Sequence, residues 1–139
     1  MANQPRFYDA TVVVCLNAGA SLLNNGFINI YTGGQPALNG GVSGTLLVQL
    51  TFGGTAFPTA VASTGTVTAT ANAITNGTAS NTGTAGYFAL VKSDTSTVVA
   101  TGSVGTSGAD LNLSTLAIVS GAVVSCSSFT ITQSEALNG

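Results

Sequence analysis

The sequence predicts a mainly-β chain, an antiparallel β-sandwich or jelly-roll-like domain preceded by one N-terminal helical segment. Three observations carry this. Seven or eight short runs read as strands, several of them alternating apolar and polar residues with a period of two, turns rich in Gly, Asn and Ser separate them, and their spacing is roughly even. Short strands at even spacing between turn signals are the pattern of a sandwich or barrel. The 139 residues divide most simply into an arm, 1–8, and a single domain, 9–139. A domain of that size buries roughly two-thirds of its unfolded surface without metal or disulfide support.

The first five residues are polar and offer nothing to pack, so they are expected to be mobile or docked on a neighbour. Asp9 is placed to cap a helix running to about Leu23, because Val13, Leu16, Ala20 and Leu23 recur at helical spacing and Asn24-Asn25-Gly26 is a stop. The β-branched run Thr11-Val12-Val13-Val14 and the interior Gly19 argue the other way. From Phe27 the period changes to two, and residues 27–32 read as a strand ended by Gly33-Gly34-Gln35-Pro36. A loop over 36–44 leads to a strand at 45–52, in which Leu46, Val48, Leu50 and Phe52 point to the core and Leu47, Gln49 and Thr51 away from it.

A loop holding Gly53-Gly54 and Phe57-Pro58 precedes residues 65–75, where small residues alternate with threonine. Residues 84–92 follow; Tyr87 and Phe88 are adjacent there, so one is expected in the core and the other outside or at an interface. The last third, 97–132, holds three apolar runs, 98–104, 111–119 and 123–132, which read as an antiparallel meander supplying half of the sandwich. In the final run Val123, Phe129 and Ile131 share one parity and form the expected buried face. The candidate core is therefore Leu16, Leu46, Val48, Leu50, Phe52, Val123, Phe129 and Ile131. Phe7, Tyr8, Tyr31, Phe57 and Tyr87 are the candidate interface residues.

Composition narrows the function. Charged residues are 4% of the chain, against about 25% in ordinary soluble domains. Only Arg6, Lys92, Asp9, Asp94, Asp110 and Glu135 carry charge, a surface better tolerated by a protein packed against copies of itself or other neighbours. Two basic residues do not make a phosphate-binding surface, so nucleic acid is not an expected partner. The apolar stretch 10–16 is too short to span a bilayer, and Asp9 and Asn17, which flank it, spoil it as a signal peptide.

There is no histidine, and with two thiols and four acids a Cys/His zinc site cannot be assembled; no metal or cofactor is expected. Cys15 and Cys126 permit one bridge, whose formation the sequence leaves open, with two reduced thiols favoured. A serine nucleophile would lack its common base, and Asp94 and Asp110 sit beside turns where backbone capping explains them better than catalysis. The chain is therefore read as no enzyme.

Four stretches occur in an order that resembles small β-proteins of tailed-bacteriophage virions: residues 28–36 (INIYTGGQP), 43–47 (SGTLL), 71–75 (ANAIT), and 102–113 with its Gly-Ser-Val-Gly and Ser-Gly-Ala-Asp-Leu-Asn-Leu segments. The resemblance covers about residues 9–132. It implies a structural virion protein, made in the host cytoplasm, that decorates or cements the capsid and whose partners are the major capsid protein or other virion proteins. Such relatives carry a charged N-terminal helix, from which residues 11–14 depart. Two other readings compete with it. A tail or fibre sandwich binding a host-surface glycan would use Phe57, Tyr31 and Tyr87 as exposed aromatics. An ice-binding surface would use the row Thr66, Thr68 and Thr70, which nothing in the sequence repeats at a fixed period.

Overall fold

The computed structural model describes residues 8–63, 65–126 and 128–134. Among the described residues one helix, α1 (Asp9–Ser21), is followed by thirteen strands: β1 (Phe27–Tyr31), β2 (Leu46–Phe52), β3 (Val61–Ser63), β4 (Thr66–Thr70), β5 (Ile74–Thr75), β6 (Gly77–Thr78), β7 (Gly83–Thr84), β8 (Tyr87–Val91), β9 (Val98–Gly105), β10 (Leu111–Asn112), β11 (Ala117–Ile118), β12 (Val123–Val124) and β13 (Thr130–Ser134). The architecture is mainly β and sandwich-like, with curled sheets. A six-stranded sheet ordered β10-β9-β8-β1-β2-β5 faces a three-stranded sheet ordered β13-β4-β3, and two short ladders, β11-β7 and β12-β6, complete the fold.

The β-branched start of α1 does not prevent the helix. Val12 is fully buried and Leu16, Ala20 and Leu23 continue its stripe, so burial worth about 1.5–3 kcal/mol per large apolar side chain outweighs a propensity penalty of a few tenths. The inward residue is Val12, and the sequence-based choice, Val13, is half-buried. Asp9 sits in the first turn, where its charge suits the helix dipole, and the N-cap is Tyr8 with no side-chain cap. The exit runs as read: Asn25 takes φ 58° and its N–H donates to the Gly53 carbonyl at 2.9 Å, tying the helix end to the end of β2. The helix packs against β4 and β3, so it closes the sandwich on that side.

Between the layers, Ile28, Ile30, Val48, Leu50, Phe88 and Leu90 from the large sheet meet Val67, Ala69 and Phe129 from the small one. Phe129 stands edge-on to Phe88 at 5.4 Å between ring centroids, and Phe57 lies 5.5 Å from Phe52 and 6.4 Å from Phe129. Phe57 therefore belongs to the core despite its place in a loop beside Pro58, and is not an interface residue.

The last third is not a meander. β9 pairs with β8, β10 lies parallel to β9, β11 pairs with β7, β12 with β6, and β13 with β4. Val123 is exposed, because β12 is a two-residue strand set against exposed Thr78 and irregular chain after Val124 breaks the parity expected to link it to Phe129. Phe129 is buried as expected; Ile131 is half-buried and packs on the core edge. Leu16, Val48, Leu50 and Phe52 are buried, but Leu46 is only half-buried. A register shift between Ile30 and Tyr31 pairs Leu46 with Tyr31 on the outer face and leaves Leu47 as the extra, fully buried residue.

Candidate functional site

The outer face of the large sheet carries two of the candidate interface aromatics. Tyr31 and Tyr87 are cross-strand partners whose rings stack at 5.3 Å and 14°. Tyr87 is fully buried, because the segment joining β1 to β2 crosses over it: its hydroxyl accepts from the Ser43 N–H at 2.9 Å and donates to the Ser43 carbonyl. Further along, Gln35 donates to the Thr101 hydroxyl at 3.1 Å. Both faces of β8 are thus covered, and Tyr87 and Phe88 are both inside, against the expectation that one would be out. Tyr31 is half-buried; its hydroxyl accepts from Asn29, whose amide oxygen accepts from Gln49 at 2.9 Å. Asn29 is buried, and this network satisfies it internally. Of the other interface candidates, Tyr8 is exposed and Phe7 lies outside the described residues.

The two acids beside turns do what short carboxylates do there. Asp94 accepts from the Ser96 and Thr97 N–H groups at 2.9 and 2.8 Å and from the Thr97 hydroxyl. Those bonds, led by the Thr97 hydroxyl, lower its pKa from 3.8 to about 2. A depressed folded-state pKa gives stability that is present above the ordinary value and is lost as pH falls through the depressed one. Thermal melts should accordingly decline between about pH 4 and pH 2, and Asp94→Ala should flatten part of that decline. An unchanged slope in the variant would show that the turn bonds do not couple to folding. Asp110 accepts from the Ser103 N–H at 3.0 Å and the Ser103 hydroxyl at 3.2 Å through one oxygen.

The threonine row has a partner that sequence did not reveal. Thr70 and Thr68 on β4 stand beside Thr130 and Thr132 on β13, with hydroxyl–hydroxyl distances of 3.3 and 3.4 Å. These hydroxyls bond one another across the strands. Cys15 and Cys126 are both free. Burial pushes the Cys126 thiol up, away from the reactive thiolate, and its Sγ donates to the Ser128 carbonyl at 3.3 Å.

The remaining feature is an open seam. Where α1 closes the sandwich against β3 and β4, the far side, between β13 and β9, is left as a cleft of about 520 Å³. Phe88, Leu90, Phe129 and Ile131 give it an apolar floor, and Thr101, Asp110, Thr130 and Thr132 a polar rim. Among the described residues both bordering strands have an unpaired edge there. Phe129 accepts from the Ala71 N–H on the β4 side, so by alternation Thr130 and Thr132 turn their main-chain groups outward. Ser103 bonds Asp110 on the side away from β8, so Thr101 likewise points outward, and β10 pairs β9 only at Val104 and Gly105. None of the cleft residues was singled out as a binding residue from sequence, because an unpaired edge is defined by which strands are neighbours.

Among the described residues no helix is long and apolar enough to cross a membrane. No protein-family model, curated protein or solved structure matches this chain.

Proposed function

We propose that this chain is a non-enzymatic structural protein of a tailed-phage virion, a capsid decoration or cement protein that bridges shell subunits. The observation that supports it best is the surface. Among the described residues only Asp9, Lys92, Asp94 and Asp110 are ionisable to full charge near neutrality, while Val14, Leu38, Val61, Val119 and Val123 are more than half exposed. Such a surface favours a protein held among neighbours over one kept apart by charge. Each copy would need only modest contacts, because a shell presents the same site many times. The glycan-binding alternative loses support, since two of its three aromatics, Phe57 and Tyr87, are buried.

The test is mass spectrometry of purified particles of the encoding phage, with this chain expected in fixed stoichiometry to the major shell protein; its absence from particles overturns the proposal. Washing those particles separates the forces. Moderate urea should release the chain before moderate sodium chloride does, because urea solvates apolar and peptide groups while salt has few ion pairs to screen. Release by salt alone would assign attachment to the few charges.

A further inference from the structure

We propose that Asn39 is a site of spontaneous covalent modification, converting in the folded chain to aspartate and isoaspartate, while the fold shields Asn25 and Asn76, which are also followed by glycine. In the reaction the Gly40 main-chain nitrogen attacks Cγ of Asn39 and closes a succinimide ring. The side-chain amide nitrogen leaves as ammonia, carrying the proton that the Gly40 nitrogen gives up. Water then opens the ring at either of its carbonyls, which yields the two acids. A following glycine favours the attack because no Cβ crowds the nitrogen. All three pairs share that chemistry, so the fold alone ranks them. The pair Asn138-Gly139 lies outside the described residues.

Ring closure turns the peptide between the asparagine and its glycine, so whatever holds that peptide must open first. At Asn39 little holds it. Ala37 to Gly40 form a turn in the segment joining β1 to β2, with Asn39 at φ 63° and the Gly40 N–H donating to the Ala37 carbonyl at 2.7 Å. Residues 37–41 are all exposed, so that bond opens into water. Asn25-Gly26 is tied at both ends: the Asn25 N–H donates to the Gly53 carbonyl, the Gly26 N–H to the Leu23 carbonyl, and the Gly26 carbonyl accepts from the Phe52 N–H at 2.9 Å. Turning that peptide breaks the junction of α1 with β2. Gly77 is buried in β6, paired with Val124, and so close to β2 that a Cβ on it would strike the Gln49 carbonyl oxygen. Asn76 is exposed, but the peptide it would have to turn is locked from its far side.

The conversion has more effect here than on an ordinary domain, because it adds one negative charge to a chain with two basic and four acidic residues. That charge arises beside Leu38, which is 93% exposed. The reaction goes beyond the shell role proposed above and is scored on the free chain. The full protein is held in mildly alkaline heavy-oxygen water, digested at intervals, and the peptides carrying Asn25, Asn39 and Asn76 are followed by mass spectrometry. The Asn39 peptide should acquire one heavy oxygen about tenfold or more faster than either of the others, since those must open further main-chain bonds or a buried strand before they react. In denaturing guanidinium chloride the three peptides should convert at comparable rates. Asn39→Gln should abolish uptake at that peptide, because attack there would need a larger ring, and leave the other two unchanged. Asn25 or Asn76 converting as fast as Asn39 in the folded chain, or the same ranking persisting in denaturant, overturns the proposal.

Discussion

Replacing Phe129 by alanine is expected to cost about 3–5 kcal/mol, the range for deleting a buried aromatic ring from a packed core. Phe129 is buried, stands edge-on to Phe88 and lies near Phe57, so its removal empties the centre of the contact between the two sheets. In a chain of this length that loss lowers the melting temperature by about 10 °C or more. Thr130→Ser, one residue on, should change it little, since Thr130 is exposed and serine keeps the hydroxyl that meets Thr70. If melts rank the two the other way, β13 faces the core with its other side.

Gly86→Ala should be comparably damaging for a different reason. The Gly86 N–H donates to the Tyr31 carbonyl at 2.8 Å, and a Cβ there would strike the Gly33 carbonyl oxygen, which is backbone and cannot rotate aside. The loop between β1 and β2 would have to lift, taking Ser43 off the Tyr87 hydroxyl and loosening the Tyr31–Tyr87 stack. The expected cost is at or above the roughly 3 kcal/mol upper end of ordinary overpacking. Gly34→Ala is the matched control, because a Cβ there meets nothing within 4 Å. Urea midpoints at constant slope measure both. Equal midpoints for the two variants would mean that the loop does not lie against Gly86 in solution.

What was legible in the sequence follows from which forces act locally. The helix was readable from its apolar spacing and its Asn-Asn-Gly stop, β1 and β2 from their alternation, and β8 and β9 as apolar, β-rich runs between turns, because those signals lie within one element. Partners were not readable. A period of two says that a strand has a buried face, not which strand lies beside it, so the last third looked like a meander while its pieces pair with β4, β6 and β7. Leu46 was misplaced by a single register shift, and Tyr87 by a crossing loop whose polar sequence gave no sign that it covers an aromatic. The open seam was invisible for the same reason as the pairings: it exists only between elements distant in sequence.

Those distant pairings also govern how the chain acquires its shape. Thr70 waits for Thr130, 60 residues later, and at about 5–20 residues per second a ribosome takes roughly 3–12 s to deliver that partner. Until then the small sheet lacks β13 and Phe88 lacks Phe129, so the small layer and its contact with the large one stay unfinished while synthesis continues. With so many contacts non-local, closure after release belongs to the slow, millisecond-to-second class of all-β folding. The nascent protein thus carries unpaired strand edges for seconds, with few charges to keep neighbouring nascent chains apart.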